Sequence, residues 1–262
     1  MTDLLVKQYS DTGVLIAGGT SGLGLASAIA FAQAGVRRIA LLARNKERGA
    51  SAVASVRAVV PQAEVHFFQA DATNYKELEA AADAAKDALG SIDVLVNTTS
   101  TSALPALFHN VASDDLQNLL TSLAMPPIFL SHIVLPWMRA QRGGSIINVA
   151  SDAAKSATPG ETVIGAGMAA IVMFTRALAI EAKRDGVRVN VLTPSLIAGT
   201  PTGDAVLKEG FSKKLFEKAA SMAHLGVVTP EDLAPMVVYL GGPGSSKLTG
   251  QAISINGGIS AA

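Results

Sequence analysis

Residues 14–35 constrain this chain more than any other stretch. Val14-Leu15-Ile16-Ala17 is a short unbroken apolar run, the pattern of a parallel strand buried on both faces. Gly18, Gly22 and Gly24 punctuate the turn that follows, and residues 23–34 continue with small and apolar side chains at helical spacing. A strand that passes through a glycine turn into a helix makes an anion cradle. The free N–H groups of the turn and the positive end of the helix dipole converge on one point, where glycine lets the backbone approach a phosphate closely.

The same alternation continues along the chain. Strands are expected at 38–43, 64–69, 92–97, 145–150, 187–193 and 251–255. Helices are expected at 46–60 (stopped by Pro61), 75–89 (closed by Gly90), 113–139 (interrupted at Pro126-Pro127) and 162–184. Thr229-Pro230-Glu231-Asp232 is a helix start, with a threonine N-cap, proline at the first helical position and acids in the first turn. Residues 203–224 read as a mobile, mixed-charge helical insertion on the substrate side. Strands alternating with helices imply βαβ units with right-handed crossovers and one parallel sheet covered on both faces. No repeat or linker divides residues 1–262, so one α/β domain is expected.

Composition narrows the partners. Lys plus Arg and Asp plus Glu both number 21, so no basic surface points to nucleic acid or an anionic membrane. There is no cysteine, hence no disulfide or thiol chemistry, and no cluster with metal-ligand spacing, so no metal is expected. The segment MTDLLVKQYSDTG lacks the apolar core of a signal peptide, and no unbroken apolar run reaches about 18 residues. A cytoplasmic protein is expected.

The Gly-x-x-x-Gly-x-Gly spacing of Gly18, Gly22 and Gly24 resembles the nucleotide-binding loop of the short-chain dehydrogenase/reductase superfamily. Further pieces stand in the family's order: Asp71 after the third strand, Leu95-Val96-Asn97, Gly143-Gly144-Ser145-Ile146-Ile147-Asn148, Gly186-Val187-Arg188-Val189-Asn190-Val191 with Pro194, and Leu248-Thr249-Gly250-Gln251 with Gly257-Gly258. The resemblance implies a Rossmann-type doubly wound parallel sheet of seven strands, with the nucleotide at the carboxyl ends of the strands. It implies that Gly18, Ser21, Gly22, Leu23 and Gly24 wrap the adenosine phosphates, that Asp71, with Ala72 beside it, faces the adenine, and that Asn97 lies beneath a ribose. Ile197 would offer its backbone to the carboxamide. Where NAD enzymes place a carboxylate at the end of the second strand, this chain has Ala43 followed by Arg44, whose guanidinium fork suits a 2′-phosphate; NADP(H) is expected. Two departures stand out. The family's Asn-Asn-Ala-Gly is Asn97-Thr98-Thr99-Ser100, and its Pro-Gly after the sixth strand is Pro194-Ser195, with Thr200 one residue late.

The family's oxidoreductases use a serine, a tyrosine, a lysine four residues after it and an asparagine. Ser151 matches the serine. The tyrosine and lysine places are Ile164 and Met168, neither of which carries a proton or a charge. The asparagine place falls on Leu123, with Ser122 its neighbour. Glu161, Asp152 and His109 are the possible substitutes. Glu161 precedes Ile164 by three but reads foremost as a first-turn acid favoured by the helix dipole. A Ser151–His109 nucleophile pair lacks a third group. The expected function is therefore that of an oxidoreductase-like protein binding NADP(H), its carbonyl/alcohol chemistry impaired or run by a substitute proton donor. The alternatives are an inactive cofactor-binding or partner subunit and, further off, a lyase or hydrolase reusing the pocket. The substrate is a small molecule whose identity no pattern specifies. A homodimer or homotetramer is expected through the helix at 162–184, whose Ala166, Gly167, Ala169, Ala170 and Ala177 permit close helix approach.

Overall fold

The computed structural model describes residues 6–261; residues 1–5, which begin the segment compared above with a signal peptide, and Ala262 lie outside the described residues. Strands β1 (Gly13–Ala17), β2 (Arg38–Ala43), β3 (Glu64–Gln69), β4 (Val94–Asn97), β5 (Gly144–Val149), β6 (Val187–Leu192) and β7 (Ala252–Ile253) pair in parallel in the order β3-β2-β1-β4-β5-β6-β7. The helices are α1 (Gly22–Gln33), α2 (Lys46–Val59), α3 (Tyr75–Leu89), α4 (Ser113–Ala140), α5 (Thr162–Ala182), α6 (Pro201–Val206), α7 (Gly210–Met222) and α8 (Pro230–Gly241).

Every residue of β1 is buried, and its side chains alternate between two cores. Val14 and Ile16 join Phe31 of α1, Val56 of α2 and Leu233 and Val237 of α8. Leu15 and Ala17 join Leu78 and Ala82 of α3, Leu130 and Val134 of α4 and Leu178 of α5. This two-residue period explains why the strand reads as continuously apolar: both faces are covered by helices. The strand order reverses between β1 and β4, and in register Ala17 pairs with Leu42 on one side and Asn97 on the other. A crevice opens there, beyond the carboxyl ends of the strands, where ligands bind in sheets of this kind.

Several elements differ from the expectations. Helix α4 runs unbroken through Pro126 and Pro127. Neither proline has an N–H, so the carbonyls of Ser122 and Leu123 lose their helical donors. Leu123, both prolines and Leu130 are buried, and that packing holds the helix together across the defect. Strand β4 starts at Val94, although Asp93 just before it still bonds both neighbouring strands through its backbone, its N–H donating to the Gly13 carbonyl at 2.8 Å and its carbonyl accepting from Ser145 N–H at 2.9 Å. Its carboxylate accepts from Gly13 N–H at 2.8 Å and pairs with Lys7 at 2.7 Å. Strand β7 is only two residues long, the amide of Gln251 donating instead to the Asn190 side chain at 3.1 Å. The insertion at 203–224 resolves into α6, starting earlier at Pro201, and α7. Helix α8 starts as expected, the Thr229 N–H donating to Asp232 Oδ2 at 2.8 Å. By length and composition alone, α4 and the stretch Thr162–Asp185 are apolar enough to cross a membrane, with mean hydropathy of 1.6 and 2.0. Their polar interruptions hid this from a search for unbroken runs, and in the fold both pack on the sheet.

Gly24 fixes how α1 meets the end of β4. A Cβ there would overlap the Gly18 carbonyl oxygen and lie 2.6 Å from Thr98 Oγ1. Backbone on one side and a committed hydroxyl on the other cannot yield freely. Gly24→Ala is expected to cost about 1–3 kcal/mol, lowering the melting temperature by roughly 2–10 °C in calorimetry. An unchanged melting temperature would show that the junction has slack.

Candidate active site

The crevice at the carboxyl ends of the strands is one continuous cleft of about 510 Å³. That is within the usual range for small-molecule and cofactor sites. At one end lies the glycine turn. Gly18 and Gly22 hold φ of 75° and 49°, and a Cβ at Gly18 would lie 2.8 Å from the Thr98 carbonyl oxygen, so glycine is needed both for conformation and for space. Ser21, Gly22 and Leu23 line the cleft. Ser21 is the N-cap of α1 but its side chain caps nothing, leaving the first-turn N–H groups without a side-chain acceptor. An unfilled helix N-terminus behind a glycine turn fits a diphosphate.

Arg44 and Asp71 line the same end, with Ala43 and Ala72. Asp71 accepts from the Thr73 N–H at 2.9 Å and from Thr73 Oγ1 at 2.8 Å. These bonds, with the nearby Arg44 charge, hold its carboxyl below the usual range despite partial burial. It is anionic and locally braced. Arg48, one turn into α2, also lines the cleft and stands as a second cation beside Arg44. The sequence did not single it out; helical spacing from the Asn45 cap, which accepts from Arg48 N–H at 2.7 Å, is the signal that brings it round.

Gly24 and Asn97 do not line the cleft. Gly24 is occupied by the junction described above, and Asn97 is turned under the floor, 2% exposed. Asn97 Nδ2 donates to Asn148 Oδ1 at 2.8 Å, and Asn148 Nδ2 donates to Thr175 Oγ1 of α5 at 2.9 Å. This buried polar chain ties β4, β5 and α5 together. Ile197 does line the cleft; its carbonyl accepts from Thr200 Oγ1 at 2.9 Å. Thr200 in turn caps α6, accepting from Gly203 N–H at 3.0 Å, while its methyl lies 3.2 Å from the position of a Cβ on Gly22. The loop beyond β4 touches the first turn of α6 across the cleft through Ser100 Oγ and Thr202 Oγ1, 3.4 Å apart.

At the other end Ser151, Ile164 and Met168 all line the cleft. Ser151 follows β5, and its Oγ accepts from Ala153 N–H at 3.2 Å while its own hydrogen is free to point elsewhere. Leu123 does not reach the cleft: it is 3% exposed and packs on Gly167 of α5. Ser122 faces the cleft in its stead. His109 is exposed in a short turn at Phe108–Asn110 and does not line the cleft, so no Ser151–His109 pair forms. Asp152 is buried, accepting from Ser260 Oγ at 2.6 Å and Asn256 Nδ2 at 3.5 Å, and ties down the C-terminal segment instead.

Glu161 is the exception. The sequence placed it in the first turn of α5; it stands one position earlier, as the N-cap residue, and it lines the cleft. Burial raises its pKa from 4.5 to about 7, against a smaller lowering by the Thr158 hydrogen bond and with a further push from Asp152. A helix dipole contributes about 0.3–1 kcal/mol, whereas a shift of this size corresponds to about 3 kcal/mol, so desolvation wins over the dipole. The other charged groups lining the cleft, Arg44, Arg48 and Asp71, all sit at the glycine-turn end.

The family model described as enoyl-(acyl carrier protein) reductase matches residues 17–260. The chain is 32% identical over 249 residues to a probable galactose dehydrogenase of Rhizobium meliloti (strain 1021), covering 95% of each. Among solved structures, it superposes on an actinorhodin polyketide ketoreductase with NADPH at TM-score 0.86 and 27% identity, covering 97% of this chain and 99% of that one. It also superposes on an NAD⁺-bound xylitol dehydrogenase at TM-score 0.88 and 25% identity, covering 96% and 100%.

Because the folded-state pKa of Glu161 lies above its unfolded value, the folded chain retains a proton that the unfolded chain has lost between pH 4.5 and about 7. Stability therefore falls as pH rises through that window, by up to about 3 kcal/mol from this group, and is flat above it. In Glu161→Gln this component should vanish. Denaturant melts of both proteins from pH 4.5 to 8 measure it, and parallel curves would refute the buried acid.

Proposed function

The chain belongs to the short-chain dehydrogenase/reductase superfamily, and on that premise we propose that it binds NADP(H) and acts on a small carbonyl or alcohol without the family's tyrosine–lysine pair. The observation that carries this reading is a single cleft holding the glycine cradle, two arginines beyond Ala43 and Ser151. When bound, the nicotinamide supplies the hydride acceptor or donor. The amides around Gly18, Ser21, Gly22 and Leu23 would hold the diphosphate, and the Asp71 carboxylate would face the adenine. Arg44 presents its guanidinium fork to a 2′-phosphate, with Arg48 adding a second charge. The Ser151 hydroxyl donates to the substrate oxygen. Ile164 and Met168 contribute an apolar wall and no proton, so the ordinary redox step is slowed unless another group supplies one. That same apolar wall supports a second reading, a cofactor-holding partner subunit without turnover; NADPH binding with no reduction across a panel of carbonyl compounds would favour it.

The two solved neighbours carry different cofactors, so the preference rests on this chain's own residues. NADPH should bind more tightly than NADH. A hydrogen bond to a charged group contributes about 1.5–3 kcal/mol, so Arg44→Ala should weaken NADPH about 10–100-fold and leave NADH nearly unchanged, as read by fluorescence titration. Equal affinities in the wild type would refute the assignment.

We propose in addition that the chain is a homodimer or homotetramer through α5. Ala166, Ala170, Met173, Ala177 and Ile180 are all exposed and alternate at four- and three-residue spacing, forming one apolar stripe. Met173 and Ile180 are 62% and 61% exposed. Gly167, expected on this surface, faces inward against Leu123 instead. Ile180→Glu should shift the mass in light scattering at micromolar concentration from an oligomer to a smaller species. A monomeric wild type would remove the proposal.

A further inference from the structure

We propose that Glu161 carries the proton of the redox step in place of the absent tyrosine, an inference that rests on the redox reading above. Glu161, Ile164 and Met168 stand at i, i+3 and i+7 along the start of α5 and all line the cleft, with Ser151 lining it from the turn after β5. At this end of the cleft, among the described residues, Glu161 has the only lining side chain that exchanges a proton near neutral pH. The hydroxyls of Ser122, Ser151 and Ser195 do not. A neutral carboxyl donates one hydrogen bond and the Ser151 hydroxyl a second, so two donors serve one substrate oxygen.

Met168 is part of the same arrangement. A lysine there would place a cation on the face that Glu161 shares and would favour the ionised carboxylate at neutral pH. A thioether lets burial keep the acid protonated. The charged groups on the surrounding elements do not compensate. Asp152, on the turn after β5, adds negative charge, and Lys155 on the same turn donates to Ser254 Oγ at 2.5 Å. On α7, whose Phe211 packs over Gly160, Lys213 pairs with Glu217 at 3.8 Å, and Lys214 and Lys218 are exposed. Arg44, Arg48 and Asp71 stand at the far end of the cleft.

The step balances as follows for reduction. The carbonyl carbon accepts a hydride from a reduced nicotinamide dinucleotide, the C=O π pair moves onto oxygen, and that oxygen takes the proton of Glu161. The resulting carboxylate regains a proton from solvent. For alcohol oxidation, the carboxylate accepts the hydroxyl proton as the hydride leaves carbon.

The test uses the full chain as wild type, Glu161→Gln and Glu161→Asp. Melting at pH 5, where the acid is neutral, checks that the glutamine variant folds like wild type. The ratio of NADP⁺ to NADPH affinity is then measured from pH 5 to 9, which cancels the titration of the shared 2′-phosphate. A carboxyl facing the reacting ring should raise that ratio about tenfold or more as it ionises, because only the oxidised ring is cationic; Glu161→Gln should show no slope. With a carbonyl compound that wild type reduces, kcat should fall above about pH 7. Glu161→Gln should lower it about 10²–10⁴-fold with NADPH affinity retained, and Glu161→Asp should recover part of the loss. A flat affinity ratio in wild type, or a glutamine variant with wild-type kcat and pH profile, overturns the role of Glu161 while leaving the redox reading intact. A wild type that binds NADPH, shows the pH-linked ratio and reduces no carbonyl overturns the redox reading and the proton role with it.

Discussion

The Thr98 hydroxyl donates to the Ala17 carbonyl at 2.6 Å, and the same oxygen lies where a Cβ on Gly24 would need room. This contact joins the end of β1, the first residue after β4 and the first turn of α1. The cleft exists because these three meet so closely. The strand order reverses between β1 and β4, so their helices depart on opposite faces and leave a crevice between them. The glycine turn lets α1 begin directly at the crevice edge, with its unfilled N–H groups pointing where an anion sits. In the usual family pattern the loop after β4 contributes mainly backbone here. In this chain Thr98, which lines the cleft, adds a side chain whose hydroxyl is committed to the Ala17 carbonyl.

The opposite wall depends on burial of a different kind. Asn97, Asn148 and Thr175 form a chain of side-chain hydrogen bonds from β4 through β5 into α5. Because each is buried, breaking any link would strand polar atoms away from water, at a cost of about 1–3 kcal/mol each. The chain therefore fixes α5 relative to the sheet. Fixing α5 fixes where Glu161, Ile164 and Met168 stand, and it holds Gly167 against Leu123 on the neighbouring α4. The position of the acid is a consequence of the core beneath it.

The fold was legible because its signals are local and repeated. The ends of β2 and β3 and both ends of α3 can be read from apolar runs, caps and Gly90 alone. Pro126 and Pro127 misled for the complementary reason: helix-breaking is a local rule, and buried packing along α4 overrides it. The orientation of side chains was harder. Counting placed Ile164 and Met168 on the cleft side of α5, but an adjacent-residue choice such as Leu123 against Ser122 turns on a rotation of one helix position, which sequence does not specify. Glu161 was visible as an acid at a helix start, where the dipole argument is sound as far as it goes. Its environment is set by α7, the turn after β5 and the loop before it, all distant in sequence, and burial is the property that residue spacing conveys least.

The loss of a tyrosine and a lysine from a site of this family need not leave it inert, because the two losses act on the same electrostatic balance. A tyrosine with a pKa near ~10 is a usable proton carrier at neutral pH only when a cation beside it stabilises the phenolate. With the phenol gone, a cation at that place would serve no proton carrier and would pull a nearby carboxyl towards its ionised form. Replacing both by apolar side chains does the reverse: it lowers the polarity around Glu161, and desolvation, with a smaller push from Asp152, carries the acid to about 7 against the Thr158 hydrogen bond. One site sets its proton carrier by attraction to a charge, the other by exclusion of water. Under the role proposed for Glu161, the second route needs no lysine, and a thioether rather than a cation at Met168 is what would keep it open.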